Sequence, residues 1–330
     1  SFGVKTFQAE DEIAGITSAI GAAFAGKLAV TASSGPGIAL KGEAIGLAVI
    51  TELPIVIINI QRGGPSTGLP TKTEQSDLNQ VMYGRNGECP AVVIAAQSAS
   101  DCFETAYEAC RLALEFMVPV VLLSDGYIAN GSEPWKIPDL DTLPEISSRK
   151  ITKDDDFAPY NHENDNLSRP WAIPGVAGLE HRIGGIEKSD KTGNISYDPD
   201  NHNHMVKLSQ RKVDVISDSF DEIKPYGDDS GELLVLGWGG TYGAIRSAVQ
   251  RARLEGDSVS HIHLRNLNPM PKDLGDKLSK YKKILIPEIN SGQLNSIIRS
   301  KFLINTESLG KVEGKPFTPS EIHENIKKTL

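Results

Sequence analysis

The most continuous apolar run in the chain is Ile55-Val56-Ile57-Ile58-Asn59-Ile60, β-branched at five of its six positions. A run with no polar alternation predicts a strand buried on both faces of a parallel sheet. A polar stretch follows it, Gln61 to Leu78, with Gly63, Gly64, Pro65 and Gly68 among its first eight residues. That density of Gly and Pro excludes a helix start and predicts a long loop. Open α/β sheets bind ligands just beyond the carboxyl ends of their strands. The loop is therefore read as a ligand loop, with Arg62, Ser66, Thr67 and Lys72 as its charged and hydroxyl groups.

The same alternation of apolar strands and periodic helices continues on either side. Residues 2–8 read as the interior of a strand, and Ile13 to Gly26 as a helix of small residues entered through Glu10, Asp11 and Glu12. Leu28 to Ser34 is the next strand. It is followed by Gly35-Pro36-Gly37 and a helix through Ala44 to Ala48. Ser33, Ser34 and Gly35 can offer hydroxyls and open backbone to a ring or phosphate, or can simply form a tight turn. Cys89 to Ala96 and Val118 to Gly126 are further strands, with a helix from Ser98 to Phe116 between them. Strands and helices in this order specify a doubly wound parallel sheet.

From Glu133 to about Tyr226, Pro, Asn, Asp and Lys dominate and the periodicity fades, apart from an element near Ile173 to Ile186 and a helix near Met205 to Val215. The α/β pattern resumes with strands at Glu232–Leu236, Val259–Leu264 and Lys282–Glu288, and with helices at Ala244–Leu254 and after Gly292. The expected division is a first α/β domain over 1–135, a connecting segment over 136–226 and a second α/β domain over 227–330.

Two glycine patterns invite a nucleotide and fail on inspection. Gly63 and Gly68 have phosphate-loop spacing, but Leu69-Pro70-Thr71 stand where Lys must follow, and Pro70 removes helix amides. Gly237-Trp238-Gly239-Gly240-Thr241-Tyr242 lacks the third glycine of a dinucleotide fingerprint, and Arg265 stands where a ribose-binding acid belongs. His202 and His204, with His181 upstream, lack the close third ligand of a metal site. A net charge of −9 over 330 residues argues against a nucleic-acid or anionic-membrane surface. Three cysteines without a Cys-x-x-Cys pair suit a reducing cytoplasm and no self-contained cluster.

Three further stretches carry a resemblance: Gln8-Ala9-Glu10-Asp11-Glu12-Ile13-Ala14, Ala32-Ser33-Ser34-Gly35-Pro36-Gly37 and Arg62-Gly63-Gly64-Pro65-Ser66-Thr67-Gly68-Leu69-Pro70-Thr71-Lys72-Thr73-Glu74-Gln75. Arg169 to Gly175 and Pro287 to Leu294 extend it. In these the chain resembles the α subunit of 2-oxoacid:ferredoxin oxidoreductases, most of all the 2-oxoglutarate type. The resemblance implies a thiamine-diphosphate enzyme divided between subunits. The α chain would carry the pyrimidine-binding domain and a transketolase C-terminal-like domain, and the β subunit would carry Mg²⁺ and a 4Fe–4S cluster. It implies coenzyme A, ferredoxin and a 2-oxoacid as reaction partners, an (αβ)2 assembly, and no membrane or nucleic acid.

On this resemblance Glu10 matches the glutamate that hydrogen-bonds the aminopyrimidine and drives formation of the C2 ylid, a task for which burial should raise its pKa. Arg62 matches the arginine that holds the substrate carboxylate, and Ser33, Ser34 and Gly35 match residues lining the cofactor pocket. The polar loop through Ser66, Thr67 and Lys72 favours a dicarboxylate over pyruvate or a branched-chain acid. Family α subunits carry a Tyr-Pro-Ile-Thr-Pro-like segment ahead of the glutamate, so the chain reads as a fragment. A non-catalytic assembly subunit and a nucleotide-binding regulator are the competing expectations.

Overall fold

The computed structural model describes residues 3–153 and 156–330. Its first helix, α1 (Glu12–Phe24), opens where Asp11 accepts a hydrogen bond from the Ala14 amide at 2.7 Å, an N-cap that satisfies one of the unpaired first-turn donors. Just past its end, Gly26 sits at φ +78°. A Cβ there would stand 2.6 Å from Cδ1 of Ile173, so this glycine is required both by conformation and by close approach.

β1 (Ala29–Ser33), α2 (Gly35–Leu40), α3 (Gly42–Thr51), β2 (Ile55–Gln61), α4 (Leu78–Tyr83), β3 (Val92–Ala95), α5 (Asp101–Phe116), β4 (Pro119–Asp125) and α6 (Gly126–Asn130) follow. β5 (Lys150–Ile151), β6 (Trp171–Ala172) and α7 (Pro199–Asp214) lie in the connecting segment. The last third holds β7 (Gly231–Trp238), α8 (Tyr242–Leu254), β8 (Val259–Leu264), β9 (Asn266–Asn268), α9 (Leu274–Leu278), β10 (Tyr281–Glu288), α10 (Gln293–Phe302), β11 (Glu307–Gly310) and α11 (Pro319–Thr329).

The first sheet runs β1-β2-β4-β3-β9, with β1, β2, β4 and β3 parallel and β9 antiparallel to β3. β2 lies between two parallel neighbours and is almost wholly buried, as its unbroken apolar run predicts. The second sheet, β11-β10-β7-β8, is parallel throughout. One apolar cluster joins the two, from Ile16, Ile45 and Ile57 on one side to Leu234, Trp238 and Ile286 on the other. β9 was not expected from the sequence: three residues of the last third of the chain complete the first sheet.

The connecting segment is anchored by charge. Glu52, in the left-handed conformation at φ 52°, is buried with Lys212 Nζ at 2.6 Å, His162 Nε2 at 3.0 Å and Lys188 Nζ at 3.7 Å from its carboxylate. Buried Arg169 donates from Nε to the Glu52 carbonyl at 3.2 Å. Trp171, also buried, donates from Nε1 to the carbonyl of Ala23 at 3.0 Å. Lys212, His162, Lys188 and Arg169 thus converge on one helix C-cap.

Two sequence expectations are corrected. Residues 4–9 form no strand and are largely exposed, because no described segment supplies the ladder that an extended chain needs to become a strand. Phe2, Asp154 and Asp155, which belonged to expected features, lie outside the described residues. Residues 173–186 hold no regular element, since Pro174, Gly175, Gly178, Gly184 and Gly185 interrupt any ladder or helix. α7 starts earlier than periodicity suggested, at Pro199, where the Asp198 carboxylate caps it.

Candidate active site

The sequence-predicted residues are distributed over the carboxyl ends of two adjacent strands and the entry to α1. Ser33 ends β1 and is paired in register with Asn59 of β2. Ser34 is extended (φ −117°, ψ 178°) and heads α2, whose first residue is buried Gly35. Arg62 is the first residue after β2 and is half-buried, with a buried Nε that has no hydrogen-bond partner within the described chain.

Asp77 sits between these two strand ends. Its Oδ2 accepts from Asn59 Nδ2 at 3.1 Å, and its amide donates to Gln61 Oε1 at 3.1 Å. Both carboxylate oxygens stand 2.7 Å from the place a Cβ would take on Gly35. Burial pushes the Asp77 carboxyl above its ordinary range, against hydrogen bonds from Asn59 and Ser76 and the positive charge of Arg62. Gly37 is equally constrained, since a Cβ there would collide with Ser33 Oγ and lie 2.7 Å from Glu12 Cγ. Glu12 in turn faces Lys41, a buried lysine that donates to Thr31 Oγ1 at 2.9 Å.

The loop after Arg62 folds back on itself. The Gly63 amide donates to the Lys72 carbonyl and the Leu69 amide to the Gly63 carbonyl, both at 2.9 Å. Ser66 and Thr71 hold left-handed backbone at φ 55° and 64°, an unfavourable conformation for side chains that are β-substituted. Ser66, Thr67 and Lys72 are all exposed. Beyond the loop the chain dives inward: Thr73, Glu74, Gln75 and Asp77 are buried. Thr73 Oγ1 donates to Asp125 Oδ1 at 2.9 Å, and the Gly240 amide donates to Asp125 Oδ2 at 3.2 Å. Gln75 spans the sheets, donating from Nε2 to the Trp238 carbonyl at 2.7 Å and accepting from the Ile289 amide at 2.9 Å. Glu288 completes the junction by accepting from Trp238 Nε1, Asn290 Nδ2 and the Leu294 and Asn295 amides.

The structure therefore brings Ser33, Ser34, Gly35 and Arg62 to one face and projects Ser66, Thr67 and Lys72 outward. Glu10 is exposed, one residue before the α1 cap; this chain alone does not bury it as the sequence reading required. Sequence reasoning missed Asn59 and gave Asp77 no place in the site. Asn59 was the single polar residue within an apolar run, and that interruption was the available signal. His202 and His204 pair with Glu187 at 2.6 Å and Asp190 at 3.0 Å on the surface. Among the described residues no group of three or more His, Cys, Asp and Glu side chains is arranged to hold a metal. No described helix is long and apolar enough to cross a membrane. Two cavities, of about 410 and 610 Å³, lie by Ile50, Cys89 and Pro90, at the opposite end of the strands from this site.

The two joined sheets, with polar groups clustered at the carboxyl edge of the first, form a fold found also in a transketolase. A split-gene transketolase shares the fold, with a TM-score of 0.51 at 13% identity over 96% of this chain and 80% of its own. The family model for pyruvate flavodoxin/ferredoxin oxidoreductase, thiamine diphosphate-binding, matches residues 2–198.

The chain belongs to that family, among the α subunits of 2-oxoacid:ferredoxin oxidoreductases. It is 54% identical to the 2-oxoglutarate oxidoreductase subunit KorA of Mycobacterium tuberculosis, over 100% of this chain and 50% of the relative. Identity to the 2-oxoglutarate synthase subunit KorA of Methanothermobacter marburgensis is 31%, over 97% of this chain and 85% of the relative. A solved 2-oxoglutarate:ferredoxin oxidoreductase from Magnetococcus marinus, with 2-oxoglutarate, coenzyme A and succinyl-CoA bound, superposes with a TM-score of 0.94 at 35% identity. That match covers 99% of this chain and 57% of the other. The chain thus spans about half the length of the M. tuberculosis relative.

Proposed function

We propose that this chain is the cofactor-pyrimidine half of a 2-oxoglutarate:ferredoxin oxidoreductase. That enzyme would convert 2-oxoglutarate and coenzyme A reversibly to succinyl-CoA and CO₂, passing electrons to ferredoxin. The observation that carries the reading is the buried and unpartnered Nε of Arg62, just past the end of β2, whose Asn59 is in register with Ser33 at the end of the adjoining β1. A buried guanidinium nitrogen left without an acceptor is costly, and a substrate carboxylate satisfies it in the fork geometry that arginine favours. Asp77, Ser33 and Glu12 fill the space beside Gly35 and Gly37, so these glycines set the turn, and the Ser33 and Ser34 hydroxyls at its edge would hold thiamine diphosphate. When bound, that cofactor supplies the carbanion that adds to 2-oxo carbonyls.

The chain's own residues then have distinct tasks. Ser33, Ser34 and Gly35 line the ring site. Glu10 shares a proton with the aminopyrimidine ring, and since this chain leaves it exposed, the β subunit covers it. Mg²⁺ and the 4Fe–4S cluster belong to the β subunit, within an (αβ)2 complex in the cytoplasm. Residues 1–135 serve as the pyrimidine-binding domain, 136–226 as the connection, and 227–330 as the transketolase C-terminal-like domain.

Ser66, Thr67 and Lys72, exposed in this chain, face the β side and read the distal carboxylate. A substrate lacking that group would leave donors unpaired, at about 1–3 kcal/mol each. The test is kcat/KM of the full α chain reconstituted with its β subunit, for 2-oxoglutarate, pyruvate and 2-oxoisovalerate. A preference for 2-oxoglutarate of tenfold or more, about 1.4 kcal/mol, is expected. An equal preference for either other acid would overturn the dicarboxylate assignment.

A further inference from the structure

We infer that Asp77 is the positioning residue of Arg62: it sets where the guanidinium stands before substrate arrives, without touching substrate itself. The inference deepens the reading of Arg62 as the carboxylate anchor and rests on it. Asp77 belongs to the same loop as Arg62, yet it lies below the exposed part, 9% exposed and locked from several directions. Its amide holds the side chain of Gln61, the residue immediately before Arg62, at 3.1 Å. Its neighbour Ser76 donates from Oγ to the Arg62 carbonyl at 2.9 Å, and the same hydroxyl lies 3.2 Å from Asp77 Oδ1. Its other oxygen takes Asn59 Nδ2, which comes from inside β2. The side chain of the residue before Arg62 and the carbonyl of Arg62 itself are therefore tied to Asp77 and its neighbour Ser76.

Charge adds to this geometry. Asp77 is the carboxylate whose electrostatic interaction with Arg62 is felt at this strand end. A partly buried guanidinium without a fixed anion would reorient toward water, because its solvation is lost on burial. The side chain of Arg62 nevertheless leaves its buried Nε unpaired, so Asp77 steadies the guanidinium while leaving a donor open. A charge held nearby while Nε stays free is what a preorganised anion site requires, and the incoming carboxylate would take that nitrogen. Gly35 explains how the carboxylate reaches this position, since any side chain there would occupy the space of both Asp77 oxygens.

A residue that merely stabilises the fold and one that acts through Arg62 differ in their coupling. The experiment is a double-mutant cycle of Asp77→Asn and Arg62→Ala in the full α chain reconstituted with its β subunit. The readouts are the equilibrium Kd of 2-oxoglutarate, from calorimetry without coenzyme A, and kcat/KM. Asp77→Asn alone should weaken 2-oxoglutarate binding and kcat/KM at least tenfold while thiamine diphosphate affinity stays within threefold. In the Arg62→Ala background the same change should cost less than threefold, since nothing remains to position. Equal losses in the two backgrounds would overturn the inference while leaving Arg62 as the anchor. Should Arg62→Ala by itself leave Kd unchanged, the anchor reading fails, and the role of Asp77 with it. If Asp77→Asn does not fold, Ser76→Ala removes only the hydroxyl between the Arg62 carbonyl and Asp77. It should reproduce a smaller loss with the same background dependence, and a background-independent loss would again count against Asp77.

Discussion

Single residues at the strand ends are specified by space as much as by chemistry. Gly37 has Ser33 Oγ and Glu12 Cγ where a methyl group would go, and both residues border the site. Gly37→Ala must push Ser33 aside, so thiamine diphosphate should bind the reconstituted complex at least tenfold more weakly, with a melting temperature within a few degrees of the parent. Unchanged affinity by titration would remove Ser33 from the cofactor site. The motif around Arg62 was legible in the sequence because long loops after buried strands are where ligands bind. The role of Asp77 was not, because it depends on Asn59 and Gly35, which lie 18 and 42 positions away and meet only when β1 and β2 pair.

At the scale of elements, the connecting segment is where sequence patterns say least and the structure says most. Its packing adds buried ions to apolar residues such as Trp171, Met205 and Val213. Burial alone would raise the Glu52 carboxyl, but Lys212, His162 and Lys188 outweigh it and hold it well below the usual carboxylate range. Removing one partner of such a group leaves uncompensated buried charge, at about 3–5 kcal/mol. Glu52→Gln should therefore lower unfolding free energy by about that amount in urea titrations, and adding Lys212→Met should recover part of the loss. A loss under about 1 kcal/mol, the range of exposed pairs, would show that the cluster does not anchor the segment. Hydrophobic periodicity cannot reveal an anchor of this kind, since all its members are polar.

The two larger sheets, parallel throughout except for β9, are joined through one apolar cluster, and most of that was legible. Buried parallel strands announce themselves as apolar runs, and β2, β4, β7 and β10 fall where those runs predicted. β9 and β11 are only three and four residues long and take their place from their neighbours, so no local pattern announced them.

The second sheet also carries a pH dependence. His263 Nε2 donates to the Gly239 carbonyl at 3.0 Å, and its Nδ1 lies 3.3 Å from His261 Nε2. Burial, aided by the charge of Arg265 and opposed by the Gly239 carbonyl, lowers His263 to about 3. A histidine depressed on folding refuses a proton that the unfolded chain accepts. Its stabilisation is complete above about pH 6.5 and falls as pH drops toward 3, by at most about 1.4 kcal/mol per pH unit. His263→Asn should flatten the decline in unfolding free energy between pH 6 and pH 4, and an unaltered slope would contradict the assignment.

The proposed function requires this chain to supply the proton-handling half of a cofactor site completed by another subunit. The most direct measurement is C2-proton exchange of bound thiamine diphosphate in deuterated water, followed by NMR in the reconstituted complex. Native exchange is expected with the parent chain, and exchange suppressed by orders of magnitude with Glu10→Gln. Exchange at the native rate in that variant would contradict it and return Glu10 to the role of a helix-entry carboxylate.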